Sequence, residues 1–459
     1  MNNIEKILKK QNEFFYTGKT IDIEYRKEQL KKLKEAVDRY EEKILYALQL
    51  DLGKSEFEAF TTEVGLVKSE IENSIKNLSK WSKPKKIKFS IMNPFSKNTI
   101  YNQPYGKCLI LSPWNYPFQL AIMPLIGSIA AGNCTVLKLS ELSLATSKII
   151  KEIIEEIFSE EYVAVFWGDG KEAEKLVESD FDFIFYTGNP NIGSIIAKSA
   201  GERLIPCVLE LGGKSPCIVD ETSDIDNAAK KIIWGKLLNS GQTCVAPDYI
   251  IVKEEIYNKL IEKLIHYIEL FYGKNPMESK DYPKIINKRH FNRIKKLVEK
   301  EEIIYGGSFD ENILKINPMI LKVNNIDSEI MKEEIFGPII PIVTYEEKTE
   351  IYSIINKNKN PLALYLFTKD LNFEKEIIEK ISFGGGCIND TIIHCSSKNL
   401  PFGGIGKSGI GSYHEKYSFD TFSHKKAVVK SKKIADISIK YPPFNDKKFS
   451  LLKKVFKWI

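Results

Sequence analysis

Strand-like and helix-like segments alternate through residues 106–211, and this alternation restricts the possible folds more than any other feature of the sequence. Short runs of β-branched and aromatic residues are separated by longer segments with apolar residues three or four positions apart. The predicted strands are 108–111, 135–139, 162–167, 183–186 and 204–211. The predicted helices are 118–131, 144–158, 171–178 and 192–200. Strands joined through helices form a parallel sheet covered on both faces, so we expect a doubly wound α/β unit.

This unit breaks at Gly212 and Gly213, and a second α/β series follows it. Asp224 is a good N-cap for the first helix of that series. We expect the helices of this series at 225–238, 255–271 and 288–300, and its strands at 249–252, 338–343 and 363–368. Earlier in the chain, residues 1–80 have the pattern of charged amphipathic helices, and 83–104 that of a β-hairpin arm.

Composition and charge exclude several classes of protein. The chain has 459 residues, 43% of them hydrophobic, and a net charge of +6. Its lysine-rich stretches, 83–86 and 430–433, accompany no nucleic-acid-binding motif, so we expect no nucleic acid partner. The seven cysteines form no C-x-x-C pair, which argues against a disulfide framework and a metal site. No apolar signal segment or membrane span is evident, and we expect a cytoplasmic protein.

Glycine motifs are the first candidates for binding a nucleotide. Residues 404–409 match G-x-G-x-x-G, but no strand precedes them and no long helix follows, so we interpret them as tight turns. Gly188 and Gly193 lie where a predicted strand leads into a helix, which suits a pyrophosphate. Asn115 lies in the stiff loop SPWNYPF after another strand, where it either faces a ligand or caps a turn.

Glu210 and Cys244 are the candidates for reactive groups. Glu210 lies in an apolar strand end, where it is either paired with a Lys or Arg or acts as a general base with a shifted pKa. Cys244 follows a helix end and a polar loop, NSGQTC, where packing, metal binding, redox chemistry and nucleophilic attack are all possible roles for a thiol.

Seven motifs occur in an order that resembles the aldehyde dehydrogenase superfamily: SPWNYPF, LKLSE, YTGNPNIG, LELGGKSP, NSGQTCVAPDY, EEIFGP and PFGGIGKSG. The run QTCVAPDY and the residues Gly411 to His414 look most like the class 3 branch, which includes fatty aldehyde dehydrogenases. The resemblance covers roughly residues 17–443. It departs from the family pattern at Leu139, where a proline is usual, and at residues 189–191 of the glycine turn.

The resemblance implies a role for each matching residue. Cys244 matches the nucleophile that forms a thiohemiacetal and then a thioester. Asn115, together with the backbone N–H of Cys244, matches the oxyanion donor. Glu210 matches the base that activates water for hydrolysis. The expected reaction is oxidation of medium or long aliphatic or aromatic aldehydes to carboxylic acids. A CoA-acylating dehydrogenase and a non-catalytic scaffold of the same fold at a membrane surface are the alternatives.

The cofactor implied by the resemblance is NAD, with NADP also accepted by some class 3 members. Glu334 and Phe336 match the residues that hold the nicotinamide ribose and ring, and Lys138 and Glu141 match the pair that contacts the adenosine ribose. The remaining residues that we assign to the cofactor are Trp114, Gly188, Gly193 and Leu211. Relatives also suggest positions that line access to the aldehyde: Tyr116, Gln119, Ile392, Ile393, His394 and His414.

The implied architecture is the aldehyde dehydrogenase fold. It combines a Rossmann-like NAD-binding domain (1–82 and 105–211), an α/β catalytic domain (212–398) and a small β bridging arm for homodimerisation (83–104 and 399–436). Residues 437–459 remain as an amphipathic tail, with apolar residues at 451, 452, 455, 456 and 459 and lysines opposite. Such a helix either docks on the protein itself or lies on the inner surface of an anionic membrane.

Overall fold

The computed structural model describes residues 3–87, 96–431 and 438–457. The helices are α1 Asn3–Tyr16, α2 Ile23–Leu52, α3 Glu56–Ala59, α4 Gly65–Trp81, α5 Gln119–Ala131, α6 Leu144–Ile157, α7 Gly170–Val177, α8 Pro190–Glu202, α9 Ile225–Leu237, α10 Tyr257–Tyr272, α11 Lys288–Val298, α12 Glu329–Lys332, α13 Lys348–Lys357, α14 Leu371–Lys380, α15 Lys416–Thr421 and α16 Asp446–Phe456.

The strands are β1 Lys85–Ile87, β2 Lys97–Pro104, β3 Lys107–Leu111, β4 Cys134–Leu139, β5 Val163–Trp167, β6 Phe183–Gly188, β7 Cys207–Leu211, β8 Pro216–Val219, β9 Tyr249–Lys253, β10 Glu302–Tyr305, β11 Phe309–Asp310, β12 Lys315–Ile316, β13 Met319–Lys322, β14 Ile339–Tyr345, β15 Ala363–Phe367, β16 Gly385–Ile388, β17 Gly409–Ile410 and β18 Ser423–Lys430.

The first large sheet has the order β17-β7-β6-β3-β4-β5, and all its pairs are parallel except β17 with β7. Successive residues of β3 enter two different apolar cores, since Ile110 packs in one and Leu109 and Leu111 pack in the other. Both faces are therefore covered, and the predicted doubly wound unit is confirmed. Its last strand begins at Cys207 rather than at 204, because Leu204 has φ 57 and is exposed at the end of α8.

The second large sheet has the order β10-β13-β14-β9-β8-β15-β16, with only β10 antiparallel to its neighbour. The chain passes from β7 into β8 through Gly212 and Gly213, where the sequence predicts the break. Four strands of this sheet, β8, β10, β13 and β16, are not among the predicted strands. A proline begins β8 and two glycines begin β16, so neither four-residue run has a strand-like composition.

A three-stranded antiparallel sheet, β1-β2-β18, forms the arm. The hairpin predicted at 83–104 is present, although residues 88–95 of it lie outside the described part of the chain. Its third strand, β18, pairs along the whole of β2, whereas β17 joins the first large sheet. The domain boundaries given above remain a prediction. Within the described ranges, no helix is both long and apolar enough to cross a membrane.

Asn133 connects the arm to the first large sheet. Its fully buried side chain accepts from the N–H of Gly106 at 3.0 Å, and its amide donates to the carbonyls of Ser128 at 3.4 Å and Phe422 at 3.0 Å. These partners lie before β3, within α5 and just before β18. One amide therefore ties together three distant parts of the chain.

Replacing Asn133 by alanine should lower the free energy of unfolding by roughly 2–4 kcal/mol, because it leaves buried backbone groups without partners. Urea denaturation followed by tryptophan fluorescence measures this change. Asn372→Ala, at an exposed position of α14, is the matched control and should change stability by less than about 0.5 kcal/mol. Equal effects of the two substitutions would contradict the role given to Asn133.

Candidate active site

The candidate residues of the first large sheet lie at the edge formed by the carboxyl ends of its strands. In the register of the sheet, Leu111 is opposite both Lys138 and Tyr186, and Glu210 is opposite Thr187. The SPWNYPF loop leaves β3 directly after Leu111. The carboxyl ends of parallel strands meet at one edge of a sheet. This edge therefore carries Asn115, Lys138, Gly188 and Glu210.

The turn before Cys244 has an unusual backbone. Asn239, Ser240 and Gly241 have φ values of 50, 54 and 76, so three successive residues are left-handed after the end of α9. A Cβ at Gly241 would collide with the carbonyl of Gly337, so this position needs glycine. The turn reverses the chain and leaves Cys244 partly accessible.

The loop of Asn115 is hydrogen-bonded to this turn. The Asn115 Nδ2 donates to the carbonyl of Gln242 at 3.1 Å, and the Asn239 Nδ2 donates to the carbonyl of Asn115 at 2.7 Å. The hydroxyls of Tyr116 and Thr243 are 2.6 Å apart. The structure thus brings together the predicted oxyanion donor and the predicted nucleophile, which are more than 120 residues apart in sequence.

Glu210 is a buried carboxyl group without a partner. Its side chain is 3% exposed, and within the described residues neither carboxylate oxygen has a hydrogen-bond partner. The alternative of an ion pair with Lys or Arg is therefore not found. Burial raises the pKa of Glu210 well above its usual range, as expected for a carboxyl group that exchanges protons near neutral pH.

The charges near Cys244 act against its ionisation. Removal of the thiol from water, followed by the negative charges of Glu334 and Glu210, raises the pKa of Cys244 to about 12. All three groups are therefore close enough to interact electrostatically. Burial and both carboxyl groups therefore disfavour the thiolate form of Cys244.

A buried ion pair holds the segment around Glu334. The Lys214 Nζ is 2.7 Å from Asp248 and donates to the carbonyl of Glu333 at 3.0 Å, while Asp248 accepts from the N–H of Ile335 at 3.1 Å. The backbone is thus fixed on both sides of Glu334. Burial, followed by the charge of Asp248, raises the pKa of Glu334 to about 8. Lys214 and Asp248 are not among the predicted site residues, although both are charged and lie inside the LELGGKSP and NSGQTCVAPDY motifs.

The other candidate cofactor residues lie along the same edge. Trp114 and Phe336 meet edge to face with their ring centroids 5.5 Å apart, and the Lys138 Nζ is 3.0 Å from the Glu141 carboxylate. Gly193 lies in the first turns of α8, where a Cβ would come within 2.6 Å of Leu211. Small residues at this point let α8 pack closely on β7.

These groups fit a dinucleotide. The Glu334 Oε1 is buried without a hydrogen-bond partner in the described structure, and it can accept a hydrogen bond from a ribose hydroxyl. Beside Gly188, α8 begins at Pro190, and the Asn189 side chain accepts from the N–H of Ile192 at 3.0 Å. The positive end of the helix dipole at this position suits a phosphate. His290, which is not among the predicted site residues, also lies here, with its ring centroid 4.9 Å from that of Trp114.

The residues predicted to line the entrance for the aldehyde differ in burial: some pack in an apolar core and others are exposed. Ile392 and Cys395 pack on the same apolar core as Cys244. His414 is buried and stacks on Phe402 with a centroid distance of 5.1 Å, whereas Ile393 is exposed. The surroundings of Cys244 on this side are therefore largely apolar.

Comparison with known proteins places these observations in a family. Residues 1–428 match the model of the aldehyde dehydrogenase family. The chain is 45% identical to 4,4'-diaponeurosporen-aldehyde dehydrogenase of Staphylococcus aureus over 100% of both chains. It is 41% identical to aldehyde dehydrogenase family 3 member A2 of Pongo abelii, over 99% of this chain and 95% of the relative. A solved structure of Staphylococcus aureus AldH in a substrate-bound state superposes with a TM-score of 0.97 at 44% identity, covering 99% of this chain and 100% of the other.

In the protein without added ligands, alkylation of Cys244 by iodoacetamide should be slow at pH 7 and should rise about tenfold per pH unit up to pH 10, because only the thiolate reacts. Above pH 8, where Glu334 is ionised, Glu334→Gln removes a negative charge and should accelerate alkylation several-fold. Mass spectrometry of the peptide that contains Cys244 measures both rates.

Glu333→Gln is the matched control for this experiment, because Glu333 directly precedes Glu334 and its side chain is exposed. It should leave the alkylation rate unchanged. A plateau of the wild-type rate below pH 9, or equal rates for Glu334→Gln and the wild type at pH 10, would contradict the electrostatic environment described for Cys244.

Proposed function

The chain belongs to the aldehyde dehydrogenase family, and from this premise we propose that Cys244, Asn115 and Glu210 oxidise an aldehyde to a carboxylic acid. The protein is an enzyme of the class 3-like branch that oxidises aldehydes with NAD or NADP. The observation that carries the assignment of residues is the junction of the SPWNYPF loop with the cysteine turn, beside the buried and unpartnered carboxyl of Glu210.

Cys244 and Asn115 carry the first half of the proposed reaction. The thiolate of Cys244 attacks the carbonyl carbon, a C–S bond forms, and the carbonyl oxygen becomes an oxyanion. One N–H of the Asn115 amide is used by the carbonyl of Gln242, so the other is available to donate to that oxyanion. The backbone N–H of Cys244 is the second donor. Donors fixed in advance stabilise this charge without reorganising.

The cofactor site that we propose consists of the residues along the same edge of the sheet. A nicotinamide bound here would supply the acceptor for the hydride of the aldehyde carbon. The residues that would hold the dinucleotide are Trp114, Lys138, Glu141, Gly188, Gly193, Leu211, Glu334 and Phe336. The carboxylate of Glu141 accepts hydrogen bonds from ribose hydroxyls and repels a 2′-phosphate, which favours NAD. Lys138 beside it moderates that repulsion, so NADP is the weaker alternative.

Glu210 completes the reaction by hydrolysis. Its carboxylate takes a proton from water, the hydroxide adds to the thioester, and the C–S bond breaks to release the acid and the Cys244 thiolate. A thiol such as CoA would not need this base, so an unpartnered buried Glu210 favours hydrolysis over CoA acylation. A non-catalytic scaffold would have no use for a buried carboxyl group without a partner.

Medium or long aliphatic aldehydes and aromatic aldehydes are the substrates that we propose. The apolar residues packed around Cys244 favour such side chains over charged ones. The name of the relative from Staphylococcus aureus identifies 4,4'-diaponeurosporen-aldehyde as the substrate of that protein. Rates across aldehydes of increasing length, each with NAD and with NADP, define both preferences.

A second copy of this chain is the partner that we propose for the arm. β18 is an edge strand of the arm sheet, and Val428 and Val429 on it are exposed. An exposed edge with apolar side chains favours pairing with another chain. The expected assembly is a homodimer, whose mass sedimentation velocity measures directly.

The C-terminal helix α16 is the segment that we propose for peripheral contact with the inner membrane surface. None of its described residues is buried, which counts against docking on the protein itself. Phe449, Leu451 and Phe456 are exposed, as is Phe444 just before the helix. The lysines on the same helix attract anionic lipids. Ile459, which the sequence assigns to the apolar face, lies outside the described residues.

Cys244→Ser should abolish NADH formation. Glu210→Gln should instead give one rapid burst of NADH per active site, followed by turnover slowed by about 10²- to 10⁴-fold, because the thioester forms and is not hydrolysed. Stopped-flow absorbance and intact mass of the acyl-enzyme measure both. Glu202→Gln, at the exposed end of α8, is the control with wild-type turnover. Glu210→Gln with full turnover, or strict dependence on CoA, would disprove the hydrolytic role.

Deletion of residues 445–459 should abolish sedimentation of the protein with vesicles of phosphatidylglycerol. It should leave aldehyde oxidation in solution unchanged, since no residue of this segment lies in the proposed site. Vesicles of phosphatidylcholine are the uncharged control and should bind less of the intact protein. Equal sedimentation of the intact and shortened chains would reject the membrane role of α16.

A further inference from the structure

Three buried charged residues, Lys54, Glu58 and Glu63, lie within residues 54–63 and contact both loops of the candidate active site. The Lys54 Nζ is 2.6 Å from Glu63 Oε1, and both side chains are 0% exposed. Glu63 belongs to a single π-helical turn, Phe60–Val64, between α3 and α4. Such turns are rare and occur mostly at functional sites. None of the motifs described above includes this segment.

One end of the segment holds the SPWNYPF loop. The Glu63 Oε2 accepts from the backbone N–H groups of Phe118 at 2.9 Å and Gln119 at 3.2 Å. The Lys54 Nζ lies 3.9 Å from the ring centroid of Tyr116 and 3.5 Å from the carbonyl oxygen of Asn115. The ion pair therefore contacts the backbone of Asn115 and the residues that directly follow it.

The same segment also holds the cysteine turn. The Glu58 Oε1 accepts from the backbone N–H of Asn239 at 2.7 Å. Asn239 is the first left-handed residue of that turn, and its side chain donates to the carbonyls of Asn115 and Gln242. Glu58 thus fixes the residue through which the loop and the turn are bonded to each other.

We propose that Lys54, Glu58 and Glu63 are positioning residues that hold the Asn115 amide in register with the Cys244 sulfur. This inference rests on the proposed roles of Asn115 and Cys244. Taking a lysine and two carboxyl groups out of water is unfavourable, and apolar residues of similar volume often replace a buried ion pair without loss of stability. The hydrogen bonds of these charged groups reach both the SPWNYPF loop and the cysteine turn. Positioning of the two loops therefore explains the buried charges better than stability does.

The effect of this network should fall on the formation of the tetrahedral oxyanion. Acyl transfer from p-nitrophenyl acetate to Cys244 forms that oxyanion without a cofactor: the C–S bond forms, the ester C–O bond breaks and p-nitrophenolate leaves. A small displacement of the donor from the oxyanion reduces its stabilisation. The rate of this acylation therefore reports the alignment of Asn115 with Cys244, separately from cofactor binding.

The first test changes the ion pair as a unit. Lys54→Met/Glu63→Met removes both charges together and leaves no unpaired ion. We expect acylation to slow by about 10- to 100-fold, while the Kd for NAD is unchanged. The melting temperature should fall, because the N–H groups of Phe118 and Gln119 lose their acceptor, and the protein should remain folded at the assay temperature. Glu56→Gln neutralises an exposed carboxylate of α3 in the same segment; it is the control and should acylate at the wild-type rate.

The second test separates hydrogen bonding from charge at Glu58. Glu58→Gln keeps an oxygen that accepts from Asn239 and should retain acylation within about threefold, whereas Glu58→Leu removes the acceptor and should slow it by about tenfold or more. Both variants lose the same charge and keep a similar volume. Equal rates for Glu58→Gln and Glu58→Leu would overturn the role of this hydrogen bond.

A double-mutant cycle with Asn115→Ala completes the test. If the ion pair acts through Asn115, adding Lys54→Met/Glu63→Met to Asn115→Ala should slow acylation by less than threefold further. A fully additive loss, or wild-type acylation by the ion-pair variant, would overturn the inference. Cys244→Ser distinguishes the failure of the proposed function: if it is still acylated at the wild-type rate, the nucleophile is wrong and not only the positioning.

Discussion

The hydrogen bond from the Asn239 side chain to the carbonyl of Asn115 is the contact on which the rest of the site depends. It joins a loop of the first large sheet to a turn that follows the first helix of the second α/β series. The two loops come from different hydrophobic cores, so apolar packing within either core does not set their distance. Hydrogen bonds therefore fix the distance between the two loops. They are strong here because Asn239 and its partners are buried.

The same burial governs the acid–base behaviour of the site. Glu210, Glu334 and Cys244 all have raised pKa values, and burial is the largest cause for each of them. Because two of these groups are acids that repel a nearby thiolate, the reactivity of Cys244 is set by its neighbours and not by the thiol alone.

The sequence predicts the elements and the reactive groups better than it predicts what aligns them. Alternating runs predict β3 to β7 because the period of apolar residues decides which faces are buried. Motif order singles out Cys244, Glu210 and Asn115. Lys54, Glu58 and Glu63 escape notice because charged residues in a helical segment have the pattern of a solvated surface. The sequence pattern also does not predict the left-handed backbone at Asn239, because tertiary contacts and not local propensity impose it.

Stability alone does not account for the charges at Lys54 and Glu63. Two apolar side chains would fill the same space at no desolvation cost, but they would leave the N–H groups of Phe118 and Gln119 without an acceptor. Those N–H groups lie at the end of the SPWNYPF loop and at the start of α5. Without Glu63 they would need water or another acceptor, and the loop would shift to reach it. A carboxylate with one oxygen on a lysine and the other on the loop prevents this movement. The ion pair therefore restricts where Asn115 can lie, and the direction of its bonds matters more than the strength of the pair.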